Sequence, residues 1–115
     1  MISFACKDIE LSELIRCSFN LNKTDYTVFD FFIKNNKEFS VSEVSKKLKL
    51  ERSSVQKAIK NLVERNLVQR WQINLMKGGY SFLYSIKDKE KVKEDIITII
   101  DSWHKKVKEA INNWN

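Results

Sequence analysis

The chain has 115 residues, one domain's length and enough for a single core without disulfide or metal staples, with 43% hydrophobic and 31% charged side chains. It has no run of about 18 apolar residues, which excludes a membrane-spanning helix; with no proline and only two glycines, adjacent in sequence, a β-sandwich, a glycine-rich phosphate loop and a flexible linker are excluded too. The net charge of +6 comes from the middle of the chain, because residues 40–87 carry ten basic side chains against Glu43, Glu51 and Glu64, while the flanks nearly balance. A positive centre between neutral flanks points to a polyanion partner.

The start, Met1 to Asp8, lacks a basic-then-apolar signal segment, so the expected compartment is the cytoplasm. Cys6 and Cys17 form no Cys-x-x-Cys pair and are expected as reduced thiols in or near the core; the alternative is a redox-sensitive intersubunit disulfide. His104 is the only histidine. No metal site, cofactor site or catalytic cluster can be assembled around it, so no enzyme activity is expected.

The first helix is expected over Asp8–Phe19, with Leu11, Leu14, Ile15 and Ser18 on one face. A second starts at Asn22, where Asn22 and Asp25 have capping-box spacing and Leu21 and Tyr26 that of a hydrophobic staple. Its apolar residues, Tyr26 to Ile33, span about 220° of the helix surface, roughly twice what an ordinary surface helix needs, so cover from a second body is expected. Ser40 and Glu43 form the next capping box, with Phe39 and Val44 as staple, opening a helix of about eight residues. Lys49-Leu50-Glu51 makes a turn, and a longer helix follows over Arg52–Arg65. There Val55, Ala58, Ile59, Leu62 and Val63 fall within about 140°, one buried face, and Asn66 stands where a left-handed helix end belongs.

Past Asn66 the period changes to two. Trp71, Ile73 and Leu75 alternate with Gln72, Asn74 and Met76, and Tyr80, Phe82, Tyr84 and Ile86 with Ser81, Leu83 and Ser85, around Lys77-Gly78-Gly79; this is a β-hairpin pattern. From Asp88 helical spacing returns for about 27 residues, with Val92, Ile96, Ile99, Trp103, Val107, Ala110 and Trp114 on a stripe about 40 Å long. One small domain can cover only about half of that stripe.

Short helix, tight turn, longer helix and two-stranded hairpin are the parts of a winged helix-turn-helix. The segment from Ser42 to Arg70, with Ser42-Glu43-Val44 in the short helix, Arg52-Ser53-Ser54-Val55 opening the next and Asn66-Leu67-Val68 closing it, resembles the core of the MarR and TrmB-like transcriptional regulators, many of them archaeal. Three residues depart from the family pattern: Glu51 replaces a Ser or Thr cap, Asn66 replaces Gly, and Lys57 stands where Arg is common, without the bidentate fork that reads guanine.

The resemblance implies a mainly α fold with a small β-hairpin and long N- and C-terminal dimerisation helices. The DNA-binding core would be 22–87 and the terminal helix 88–115, with 8–19 assisting. The outward face of the longer helix then places Ser53, Ser54, Gln56 and Lys57 near bases, and Arg52, Lys60 and Asn61 near phosphates. The wing tip, Lys77, Gly78, Gly79 and Tyr80, resembles a minor-groove or backbone probe, and Arg70 a phosphate contact. The expected function is sequence-specific regulation from double-stranded DNA as a homodimer on an inverted repeat. Leu11, Leu14, Ile15, Trp103, Val107, Ala110, Ile111 and Trp114 would be at the dimer contact. The rival reading is a winged-helix protein-interaction module, which has no reason to concentrate positive charge in the helix-turn-helix and wing. A small effector, if one acts, would have to enter between helices.

Overall fold

Local hydrogen bonding sets where the helices begin and end. In the computed structural model, which describes residues 1–115, the elements run β1 (Ile2–Phe4), β2 (Lys7–Ile9), α1 (Leu11–Phe19), α2 (Lys23–Lys34), α3 (Val41–Leu48), α4 (Arg52–Glu64), β3 (Val68–Asn74), β4 (Tyr80–Ile86) and α5 (Lys89–Asn112). Both expected capping boxes form. The Asp25 amide donates to the Asn22 side chain at 2.7 Å and the Asn22 amide to the Asp25 carboxylate at 3.1 Å. Glu43 and Ser40 repeat the exchange at 3.2 and 3.0 Å. Glu51, at the N-cap of α4, makes no side-chain cap bond.

Three helices stop in the same way. Asn20, Lys49 and Asn66 adopt positive φ of 54°, 55° and 59°. In each case the next amide reaches back five residues: Leu21 to Arg16, Leu50 to Ser45 and Leu67 to Leu62, at 2.8, 3.1 and 3.0 Å. Asn tolerates this conformation; Lys49 carries a Cβ cost there, and the tight turn between α3 and α4 requires it. The Ser45 hydroxyl reinforces that turn by donating to the Leu50 carbonyl at 2.6 Å.

The core lies around α2 and α4. Val28, Phe29, Phe32, Val44, Val55, Leu62 and Leu67 are fully enclosed, and Phe31, Phe32 and Phe39 meet edge to face. The wide apolar arc of α2 is thus consumed within one chain, by α4 above all and by α1 and β4, and needs no second body. Ile15 is likewise a core residue, at 9% exposure, and is not free for a partner.

The amino end also differs from expectation. Residues 7–9 are not helical: β1 and β2 pair antiparallel as a second, N-terminal hairpin, and α1 is only nine residues long. The period-two signal in Ile2-Ser3-Phe4 and Lys7-Asp8-Ile9 is real but three residues deep, too short to outweigh the helical spacing that follows. Cys6 sits in this hairpin's turn and Cys17 on α1; both are exposed, so the thiols are not core residues.

The β3–β4 register, Trp71 opposite Leu83 and Gln72 opposite Phe82, sends the two apolar sets to opposite faces. Val68, Tyr84 and Ile86 lie on the inner face and are buried, and Phe39 forms an isolated antiparallel bridge to Tyr84 through two 2.8 Å bonds. Trp71, Ile73 and Leu83 lie on the outer face; the Trp71 indole donates to the Ser85 hydroxyl at 2.9 Å and stays 44% exposed. Helix α5 is anchored at Val92, Ile96 and Ile99, then leaves the body, which accounts for extents of 68 × 23 × 22 Å. Trp103 and Ile111 on its distal half are exposed, and so is Trp114, which lies past the helix end at Asn112 rather than on the helical stripe expected to reach it.

Candidate nucleic-acid interface

Helix α4 has two chemically opposed faces. Val55, Ala58, Ile59 and Leu62 are buried against α2 and α3, which forces Arg52, Ser53, Gln56, Lys57 and Lys60 outward into solvent. Ser54 and Asn61 are half-buried at the margin. The structure brings Ser54, Lys57, Lys60 and Asn61 together along an open, polar cleft of about 520 Å³ between α4 and the start of α2. Its other wall is Asn22, Thr24 and Asp25, a contribution that sequence reasoning missed. The capping box shows that α2 begins at Asn22, but only packing places that start beside Lys57. Asn61 is partly committed: its side-chain amide donates to the buried Asp25 carboxylate at 3.4 Å, joining α4 to α2.

Gln56, Ser53 and Arg52 lie outside that cleft, on the free surface of α4's first turns. In the β3–β4 wing the whole distal part, from Arg70 to Tyr80, is exposed. The Arg70 guanidinium stacks 4.4 Å above the Phe82 ring, and Tyr80 meets Phe82 edge-on at 5.3 Å. Stacking uses the guanidinium face and leaves its in-plane N–H groups free to donate. Gly78 and Gly79 have φ of 91° and 80°, and a Cβ would meet nothing within 4 Å at either, so backbone conformation alone demands glycine at this turn. Met76, not singled out from the sequence, is fully exposed at the tip beside Lys77.

The electrostatics separate this region from the rest of the chain. The ion pairs are Lys34–Asp30, Lys91–Asp95 and Lys93–Glu90, at 2.9, 3.0 and 3.3 Å, all on α2 or α5. Hydrogen bonding to Asp30 and Asp95 raises the pKa of Lys34 and of Lys91 respectively. None of the ten basic side chains between residues 40 and 87 has an acidic partner within 4 Å. Arg65 donates instead to the Phe19 carbonyl, tying the end of α4 to the end of α1. The Glu43 carboxyl is held below its ordinary range by the Ser40 amide and hydroxyl, with Lys47 and Lys46 adding to the effect. Burial, helped by Asp30, pushes the Tyr26 phenol up.

No group of three or more His, Cys, Asp or Glu side chains is placed to hold a metal ion. No helix is long and apolar enough to cross a membrane. A second open cleft, of about 600 Å³, lies where the ends of α1 and α4 meet α5, lined by Phe19, Arg65, Asp95 and Ile99 among others.

A three-helix core with a helix-turn-helix, a β-hairpin wing and an unpaired basic face is a winged helix-turn-helix, the fold of transcriptional regulators. The chain belongs to the TrmB family, whose profile, described as "Sugar-specific transcriptional regulator TrmB", matches residues 15–90. It is 31% identical over 102 residues to the uncharacterized protein MJ1082 of Methanocaldococcus jannaschii, covering 89% of this chain and 83% of that one. Among solved structures it is similar to a possible transcriptional regulator from Methanosarcina mazei Go1, with a TM-score of 0.91, 35% identity, and coverage of 100% of this chain and 97% of that one. A MepR mutant of S. aureus bound to an oligodeoxyribonucleotide shares the fold at 10% identity, with a TM-score of 0.57 and coverage of 90% and 73%.

Proposed function

We propose that this regulator binds double-stranded DNA as a homodimer and reads sequence with the first turns of α4. The observation that carries the reading is the set of unpaired basic side chains on α4 and the wing. Residues 40–87 hold ten basic side chains against three acidic ones and none of the ten is ion-paired, whereas the flanking residues nearly balance in charge. Ser53, Ser54, Gln56 and Lys57 are the base-reading groups. Arg52, Lys60, Asn61, Arg70, Lys77 and Tyr80 hold the backbone, with Gly78 and Gly79 allowing the wing a close approach. Asn22 and Thr24, beside Lys57, extend that backbone-facing surface to the start of α2. The fold shared with DNA-bound MepR supports the same docking.

Homodimerisation is supported by the apolar surface of distal α5, with Trp103, Ala110 and Ile111 exposed and Val107 half-buried, by exposed Trp114 just past its end, and by exposed Leu11 and half-buried Leu14 on α1. Two-fold pairing would set two α4 helices about 34 Å apart, one turn of duplex. A small effector would enter the cleft between α1, α4 and α5.

The test is selection of bound duplexes from a random pool, followed by recovery of bound DNA from cells. The expected result is one inverted repeat with half-sites about one helical turn apart. Retention with no common sequence would refute base reading. No retention at low salt would refute DNA binding and favour a protein-interaction module.

A further inference from the structure

The inner face of the wing changes character along its length. The register pairs Arg70 with Tyr84, Gln72 with Phe82 and Asn74 with Tyr80, so these side chains share the face that begins at Val68 and Ile86. Tyr84 is buried, Phe82 half-buried and Tyr80 exposed, so this aromatic column starts in the core and ends in solvent. Phe82 packs against the edge of the core, which fixes its ring. Arg70 lies diagonally across the strand pair from Phe82, within reach of a long side chain, and its guanidinium carbon sits 4.4 Å from the centre of the ring. Tyr80 meets the same ring edge-on at 5.3 Å.

We infer that Phe82 is a positioning residue for DNA binding: its ring holds the Arg70 guanidinium in place for a phosphate and does not itself touch DNA. This rests on the reading of Arg70 as a backbone contact, and adds what orders it. Arg70 is exposed and has no ion pair, and no acidic side chain occurs between Glu64 and Asp88, so nothing in the wing can hold the guanidinium by charge. A carboxylate partner would order the group, but it would also neutralise it and occupy the N–H fork that a phosphate needs. A ring orders it through its flat face and leaves both the charge and the fork free. An unheld arginine loses its rotamer freedom only when DNA arrives, and that loss weakens binding; a stacked one has lost much of it on folding. The ring is placed for this use. Its face of the wing is continuous with Val68 and Tyr84, which are buried in the same core as Val55 and Leu62 of α4. The held charge and the base-reading helix therefore lie on the same side of the β3–β4 sheet.

The test is a double-mutant cycle on the full chain, read by fluorescence anisotropy on a duplex that the wild type retains. Phe82→Leu should weaken binding about threefold per half-site, on the order of tenfold for a dimer, because Arg70 must then be ordered by the DNA. Its plot of log K against log salt should keep the wild-type slope, since no charge is lost, whereas Arg70→Ala should make that slope shallower by about 2. In the Arg70→Ala background Phe82→Leu should cost nothing further, and Phe82→Tyr, which keeps the ring, should bind like the wild type. Equal losses from Phe82→Leu with and without Arg70, or no loss in either, overturn the positioning role. A second measurement needs no variant: in proton NMR of the free wild-type chain, the side-chain protons of Arg70 should resonate upfield in the ring current of Phe82. Ordinary shifts there overturn the role even if Phe82→Leu fails to fold. Arg70→Ala with affinity and slope unchanged also overturns it, and leaves DNA binding by the other basic residues standing. A wild-type chain that retains no duplex at low salt overturns the positioning role and the DNA reading together.

Discussion

Removing Lys77 should both weaken DNA binding and make it less sensitive to salt. Arg52, Lys57, Lys60, Arg70 and Lys77 are all exposed on the α4 and wing surface, and none is ion-paired within the chain. If each meets one phosphate, a dimer neutralises about ten, giving a slope of log K against log salt of about −9. Doubling salt from about 0.1 to about 0.2 M should then weaken binding about 500-fold. Lys77→Ala removes two contacts per dimer, so the slope should fall to about −7 and the same salt step should cost only about 150-fold. Lys91, paired with Asp95 on α5, provides the control, and Lys91→Ala should leave the slope unchanged. The assay is fluorescence anisotropy on a labelled duplex over four or five salt concentrations. A slope shallower than about −3, or equal slopes for wild type and Lys77→Ala, would refute the placement of DNA on this surface.

Gln56→Ala should cost about 1–3 kcal/mol of specific affinity and leave binding to random duplex nearly unchanged, as competition assays would show; an equal loss on both would mean that Gln56 touches only backbone. Phe32→Ala removes a fully buried ring that meets Phe31 and Phe39 edge to face at 5.8 and 6.3 Å, and should destabilise the fold by about 3–5 kcal/mol in urea unfolding. A loss below about 1 kcal/mol would mean that the core closes over the gap. Glu43→Ala should cost about 0.5 kcal/mol near neutral pH, a small figure because the carboxyl is exposed. Since folding lowers the Glu43 pKa from its ordinary 4.5, its contribution is present above that value and lost as pH falls through the lower, folded pKa. The stability difference between wild type and Glu43→Ala should therefore vanish in acid, and a gap persisting at pH 2 would contradict the assignment.

Much of this molecule is legible in the sequence because its signals are local. Asn22 with Asp25 and Ser40 with Glu43 bond within one helical turn, so their spacing alone marks two helix starts. Asn66 marks the end of α4 for the same reason, and alternation around Gly78-Gly79 marks the wing. The outward face of α4 follows from the arc of its buried residues, since a helix with one buried stripe has only one place for Lys57 and Gln56. Lys49 escapes such reading because lysine has no preference for positive φ; the turn between α3 and α4 imposes it.

Only tertiary structure decides how shared surfaces are used. The apolar arc of α2 indicates how much cover the helix needs but not who supplies it, and packing shows that α1, α4 and β4 do. Cross-strand register depends on loop length and the position of the core together, so only the fold separates inner Tyr84 from outer Trp71. The joining of Asn61 to Asp25, and of Thr24 to the Lys57 cleft, spans more than thirty residues of chain. Contacts at that separation leave no periodic trace, because their cost and their stabilisation arise only when the helices meet.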